Sequence, residues 1–77
     1  MSIKAYILIS TDTKFTKTIK QLISVIDGVN EVNEVLGPFD IVVEIQMDTL
    51  EQISECLRNK IRNIEGVKDT VTCVRIR

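Results

Sequence analysis

From Ile3 to Ser10 the chain carries apolar residues in a two-residue phase, with Ile3, Ala5, Ile7 and Ile9 on one side, the spacing of a strand that buries one face. The period then lengthens. Phe15, Ile19, Leu22, Ile23 and Ile26 recur at three- and four-residue intervals and predict an amphipathic helix with a single apolar stripe. Thr11, Asp12 and Thr13 are candidates for its N-terminal cap, Asp12 as a dipole-compensating residue. Asp27-Gly28 ends it, because glycine takes the left-handed conformation of a C-terminal cap without a side-chain penalty. A strand over roughly Asn30 to Leu36 follows, and Ile41 to Met47 reads as a third. "DTLE" from Asp48 to Glu51 reads as a capping box with an acidic cap. Leu50, Ile53, Leu57, Ile61 and Ile64 then mark a second helix, Glu65-Gly66 stops it, and Val71 to Ile76 supplies the last strand.

The pattern repeats. "VIDGVNEV" at Val25 to Val32 returns as "NIEGVKDT" at Asn63 to Thr70, a shift of 38 residues. The same shift lays Ile3, Ala5, Ile7 and Ile9 on Ile41, Val43, Ile45 and Met47, and lays Ile19, Ile23 and Ile26 on Leu57, Ile61 and Ile64. The chain is therefore two copies of one strand-helix-strand unit, too few for a solenoid. Short connections and right-handed crossovers turn the order βαββαβ into an α+β, ferredoxin-like domain: a four-stranded antiparallel sheet, strand order 4-1-3-2, with both helices on one face.

That arrangement leaves the other sheet face uncovered. Tyr6 and Leu8 on the first strand and Val42, Glu44 and Gln46 on the third fall on the open side. A mixed face carrying Tyr6, Leu8 and Val42 is better buried than wetted, and a second copy of the chain is the simplest cover; Glu44 would lie in the same interface. The topology also sorts the loops. Ser10 to Lys14, "GPFD" at Gly37 to Asp40 and the "IEGVKDT" turn fall at one end, while Asp27-Gly28, Met47-Asp48 and the C-terminus fall at the other.

Composition narrows the classes that remain. Seventy-seven residues with 44% hydrophobic content make one small domain, which buries only roughly 60 to 65% of its unfolded surface and gains from oligomerisation. A net charge of −1 and scattered Lys and Arg argue against direct nucleic-acid binding. The N-terminal apolar run is too short for a membrane span or signal peptide, which places the expected protein in the cytoplasm. Without histidine, and with Cys56 and Cys73 far apart, neither a tetrahedral zinc site nor any cofactor is expected, and both cysteines read as structural thiols.

"GPFD" is the stretch that composition does not explain. Gly37 tolerates unusual backbone angles, Pro38 fixes φ, and Asp40 can close an Asx-type turn, so three of its residues are accounted for as turn chemistry. Phe39 is left over. In a chain with three aromatic residues, a phenylalanine at a hairpin tip calls for a neighbouring subunit or a ligand to cover it.

Taken together, the "IDGV" turn, "GPFDIVVEI", the "IEGV" turn and the Thr-x-Thr strand resemble the C-terminal effector-binding domain of the Lrp/AsnC transcriptional regulators, the RAM domain, over essentially the whole chain. The resemblance implies a face-to-face dimer, assembly of dimers into rings such as octamers, and small effectors, typically amino acids, held at junctions near the hairpin. Carried over by position, Gly37, Pro38, Phe39 and Asp40 form the hairpin part of that pocket, and Thr70 and Thr72 help line it. Asp40 offers an acceptor for an ammonium, and threonine hydroxyls or backbone N–H groups offer donors to a carboxylate. For Thr70 and Thr72 the alternative is ordinary strand propensity. Two departures accompany the resemblance: the chain leaves no room for a helix-turn-helix, as expected of a free-standing effector domain that acts through partners such as DNA-binding relatives, and "STDTKF" replaces a Pro-Gly-like turn before the first helix.

Three functions follow from these residues: a non-enzymatic effector-binding regulatory module, a small dimeric α+β-barrel enzyme, and a purely architectural oligomerisation module. The enzyme lacks an evident histidine, activated nucleophile or carboxylate pair; Glu44 on the open face is its one candidate base. The regulatory module is the reading the residues favour.

Overall fold

In a computed structural model describing residues 2–77, the expected elements follow in the expected order. Strands β1 (Ile3–Thr11), β2 (Val29–Glu34), β3 (Ile41–Met47) and β4 (Val67–Val74) form one antiparallel sheet ordered β2-β3-β1-β4, which is 4-1-3-2 read from the other edge. Helices α1 (Thr16–Ser24) and α2 (Leu50–Cys56) pack on one face. The two central strands are those with the cleanest alternation. Ala5, Ile7 and Ile9 on β1 and Ile41, Val43 and Ile45 on β3 are fully buried, and meet Ile19 and Ile23 of α1 and Ile53 of α2. Removing one of these isoleucines down to alanine costs about 2–5 kcal/mol, a large part of what so small a domain has to spare. The helical stripes are narrower than their spacing suggests: Leu22 and Leu50 stay about half exposed at the margins.

Both repeat turns close as expected. Gly28 has φ 94° and Gly66 φ 95°, and each releases the chain directly into a strand. That shifts the last strand: β4 starts at Val67 rather than Val71, because β1 offers partners along its whole length, out to Thr11 opposite Val67 past a bulge at Ser10/Thr11. At its other end β2 stops at Glu34 rather than Leu36, where the chain leaves the ladder to make the connection to β3.

Two local expectations are corrected. The cap of α2 is Thr49, not Asp48: its hydroxyl accepts from the Gln52 N–H at 3.1 Å, and the Gln52 Oε1 accepts from the N–H groups of Thr49 at 3.2 Å and Asp48 at 3.0 Å. The box thus sits one residue later, with Gln52 in the role assigned to Glu51. Beyond Cys56 the helix widens into a π turn over Leu57–Ile61, closed by the Arg62 N–H on the Leu57 carbonyl at 2.8 Å. The turn ends on Ile61, which is fully buried in the same core cluster as Cys56. Before α1, a 3-10 turn at Thr13–Phe15 takes Asp12 as its cap, the carboxylate accepting from the Lys14 N–H at 3.3 Å.

Candidate functional site

Three loops meet where β1 ends, β3 begins and β4 begins. The Asp12 N–H donates to the Gly66 carbonyl at 2.8 Å, and the Asp40 N–H donates to the Ile9 carbonyl at 2.9 Å. Phe15 closes the same end by lying over Gly66, where an added Cβ would be 2.5 Å from the Phe15 Cβ. The topology read from the sequence places these loops together, and they are together.

The connection carrying "GPFD" is not a tight hairpin. It is a run of bends between Glu34 and Ile41, closed by the Val35 N–H on the Asp40 carbonyl at 2.9 Å. Gly37 does not have positive φ, and open space surrounds the position of an added Cβ, so neither the backbone nor crowding requires glycine there. Phe39 is half-buried rather than set in water; the fully exposed apolar side chain of this loop is Leu36, with Val35 partly exposed beside it. Pro38 is exposed. Asp40 closes no Asx turn: its Oδ2 accepts from the Thr11 N–H at 2.8 Å, reaching across to β1. Thr11 in turn shares a hydrogen bond between its Oγ1 and that of Thr16 at 2.6 Å, inside the first turn of α1.

Thr70 and Thr72 are half-buried, and their register locates them. Thr70 pairs with Ile9 and Thr72 with Ile7, so both lie on the helix-bearing side of β4. Ile9 also pairs with Ile41, which puts Thr70 in the row adjoining Asp40, about 10 Å away across β1. Thr72 lies one row deeper, roughly 6.5 Å farther from the loop. The residues assigned to a ligand thus gather at one end, with Thr72 the most remote.

The open face collects the residues assigned to an interface. Tyr6 pairs with Glu44 and Leu8 with Val42 across β1 and β3, all half-buried by their neighbours. The register adds two that the sequence pattern does not reveal: Val71 opposite Leu8 and Cys73 opposite Tyr6, both exposed. Both lie within the strand expected at Val71 to Ile76, and it is the pairing register with β1 that puts them on the open face. Glu44 is committed to local partners, with its carboxylate 3.9 Å from the Lys4 Nζ and accepting from the Asn30 Nδ2 at 3.2 Å. Cys73 is an exposed thiol rather than a buried one. Cys56 is buried, and that burial pushes its thiol pKa up, with Lys60 pulling partly the other way.

Two surface clefts lie at the opposite end. One, of about 420 Å³, opens among Gly28, Met47, Gln52, Cys56 and Lys60; another, of about 490 Å³, among Ser2, Lys4, Gln46 and Arg75. Cleft size and loop chemistry therefore point to different ends. Neither cleft includes any residue of the Gly37 to Asp40 loop, whose hydrogen bonds tie it instead to the end of β1. Among the described residues no group of three or more Cys, Asp or Glu is arranged to hold a metal, and no helix is long and apolar enough to cross a membrane.

The fold and these residues define a ferredoxin-like α+β domain with one loop-lined end and one uncovered sheet face. The sequence pattern of the Lrp/AsnC ligand binding domain matches residues 4–77, and the chain belongs to that family of regulatory, effector-binding modules. Homocitrate synthase from Saccharolobus solfataricus is 34% identical over 71 residues, which are 91% of this chain but 15% of that enzyme. The chain thus spans a small part of the curated relatives it matches. Among solved structures, TTHA0845 from Thermus thermophilus superposes with a TM-score of 0.93 at 28% identity, covering 97% of this chain and 94% of that one. The transcriptional regulator NMB0573 from Neisseria meningitidis, solved with L-Met, superposes with a TM-score of 0.88 at 13% identity, covering 97% of this chain and 50% of that one. At that identity the likeness is one of fold.

Proposed function

We propose that this chain is an amino-acid-sensing regulatory module that acts without catalysis of its own. The effector lies at the loop end, against Gly37, Pro38, Phe39 and Asp40, with Thr70 and Thr72 on the neighbouring strand. The sheet faces of two copies pack through Tyr6, Leu8, Val42 and Glu44, and dimers assemble further so that a second copy closes the pocket. The observation that carries this reading is the family match across residues 4–77, and the L-Met bound to a regulator of the same fold supports an amino acid as the ligand class. An expected cytoplasmic setting and action through partner proteins, DNA-binding relatives among them, belong to the same proposal.

A second reading concerns the partner rather than the ligand. Because the chain resembles a segment of homocitrate synthase, its target is an enzyme of that kind in place of a transcription factor. Affinity purification of the tagged chain from its own cells, with the recovered proteins identified by mass spectrometry, separates the two.

The ligand is tested by thermal shift against the twenty amino acids. A ligand that binds only the folded state at 100 times its Kd adds about 2.7 kcal/mol, which for a domain of this size is a rise on the order of 10 °C or more. The shift disappears in Phe39→Ala, while native mass spectrometry still shows the wild-type subunit count. A stable assembly that responds to none of the compounds supports an architectural module instead.

A further inference from the structure

We propose that Asp40 is a positioning residue: its carboxylate anchors the site loop to the end of β1 and, through Thr11, to the first turn of α1, and does not supply the counter-charge for a bound ammonium. This rests on the reading of that loop as the effector site. Asp40 holds β1 twice. Its N–H donates to the Ile9 carbonyl at 2.9 Å and its Oδ2 accepts from the Thr11 N–H at 2.8 Å, so backbone and side chain clasp the strand on either side of Ser10.

The clasp falls where the ladder runs out. Pairing of β1 with β3 ends at Ile9 opposite Ile41, and pairing with β4 is irregular between Ser10 and Thr11. Thr11 is buried there, and a buried N–H without an acceptor is costly, so the carboxylate takes the place of the missing strand carbonyl. A carboxylate acceptor makes this one of the stronger kinds of hydrogen bond.

The contact continues inward. The Thr11 and Thr16 hydroxyls are 2.6 Å apart, and Thr16 Oγ1 also lies 3.5 Å from the Asp12 carbonyl. Thr11 and Thr16 are the buried polar residues among the described part of the chain, so this single connected network joins the loop, β1 and α1. With Oδ2 used in that network, the carboxylate is fixed by the protein before any effector arrives, and the loop it carries is held in one place.

Asparagine separates anchoring from charge recognition, because it keeps an oxygen acceptor of the same shape for the Thr11 N–H and removes the charge. The test compares wild type, Asp40→Asn and Asp40→Ala by amide hydrogen exchange at Thr11, Leu36, Gly37 and Phe39, and by calorimetric titration with L-methionine. Asp40→Ala is expected to speed exchange at Thr11 by roughly 10-fold or more and to weaken L-methionine binding by a similar factor; Asp40→Asn restores both to within about 3-fold of wild type. Unfolding of Asp40→Ala alone, with Asp40→Asn folded, also supports the anchor, since loss of a ligand contact does not unfold a ligand-free protein. The proposal is overturned if Asp40→Ala leaves Thr11 exchange unchanged, or if Asp40→Asn restores exchange but binds L-methionine as poorly as Asp40→Ala. If the wild type gives no heat with L-methionine, the effector reading fails for that probe, and exchange at Thr11 decides the anchor by itself.

Discussion

Gly37 and Gly66 lie at the same end of the sheet and are glycine for different reasons. Gly66 has φ 95°, and an added Cβ would come 2.5 Å from the Phe15 Cβ. Gly66→Ala therefore combines a left-handed penalty with a clash against a partly buried ring, and should cost about 2–4 kcal/mol, read as a lowered urea midpoint. Gly37 meets neither constraint, so Gly37→Ala should change stability by no more than about 0.5 kcal/mol. If an effector approaches the loop there, the same substitution lowers its affinity while the urea midpoint stays put. Sequence alone reads Gly37 and Asp40 as turn chemistry, and the structure departs from both readings for one physical reason. A turn signature describes neighbours along the chain, whereas the acceptor role of Asp40 involves Thr11, 29 residues away. Phe39 stands out by its rarity, but the exposed apolar side chain beside it is Leu36, which nothing in the local pattern distinguishes.

At the scale of elements, periodicity is the reliable signal and element ends are not. Alternation at Ile3 to Ile9 and Ile41 to Met47 identifies the two strands that are buried deepest, because each must present a continuous apolar edge to the helices. Ends depend on partners instead. β4 begins wherever β1 still offers hydrogen bonds, and the box of α2 depends on which hydroxyl reaches an N–H three residues on. The corrected cap makes a direct comparison possible. Thr49→Ala removes the acceptor for the Gln52 N–H and should cost about 1 kcal/mol, or roughly 4–8 °C in Tm, whereas Asp48→Ala leaves that bond and its own N–H donor in place and should shift Tm by no more than about 2 °C. Equal losses in the two variants would return the cap to Asp48. Duplication is legible for the same reason that the central strands are. Both copies carry the same apolar phase, and both reverse at a glycine that the structure holds at positive φ.

At the scale of the molecule, the uncovered sheet face carries its own reporter. Leu8 and Val42 pair across β1 and β3, Leu8 pairs with Val71 across β1 and β4, and Cys73 lies opposite Tyr6, so the exposed thiol sits within the apolar patch that a second copy is proposed to cover. Cys56 serves as an internal control, since burial both hides its sulfur and raises its pKa, keeping the reactive thiolate scarce near neutral pH whatever the assembly state. In a face-to-face dimer, Cys73 should react slowly with a thiol reagent at concentrations where native mass spectrometry finds dimers, and quickly once dilution releases monomers. Leu8→Glu introduces two like charges across the two-fold axis and takes away apolar contact, so it should yield monomers at every concentration and fast, concentration-independent labelling of Cys73. Its fold should survive, because the Leu8 side chain points away from the core formed with the helices. Fast labelling of Cys73 in dimers of the wild-type chain would place the interface elsewhere, and the β2 edge, with its exposed Glu31 and Asn33, would be the next surface to test.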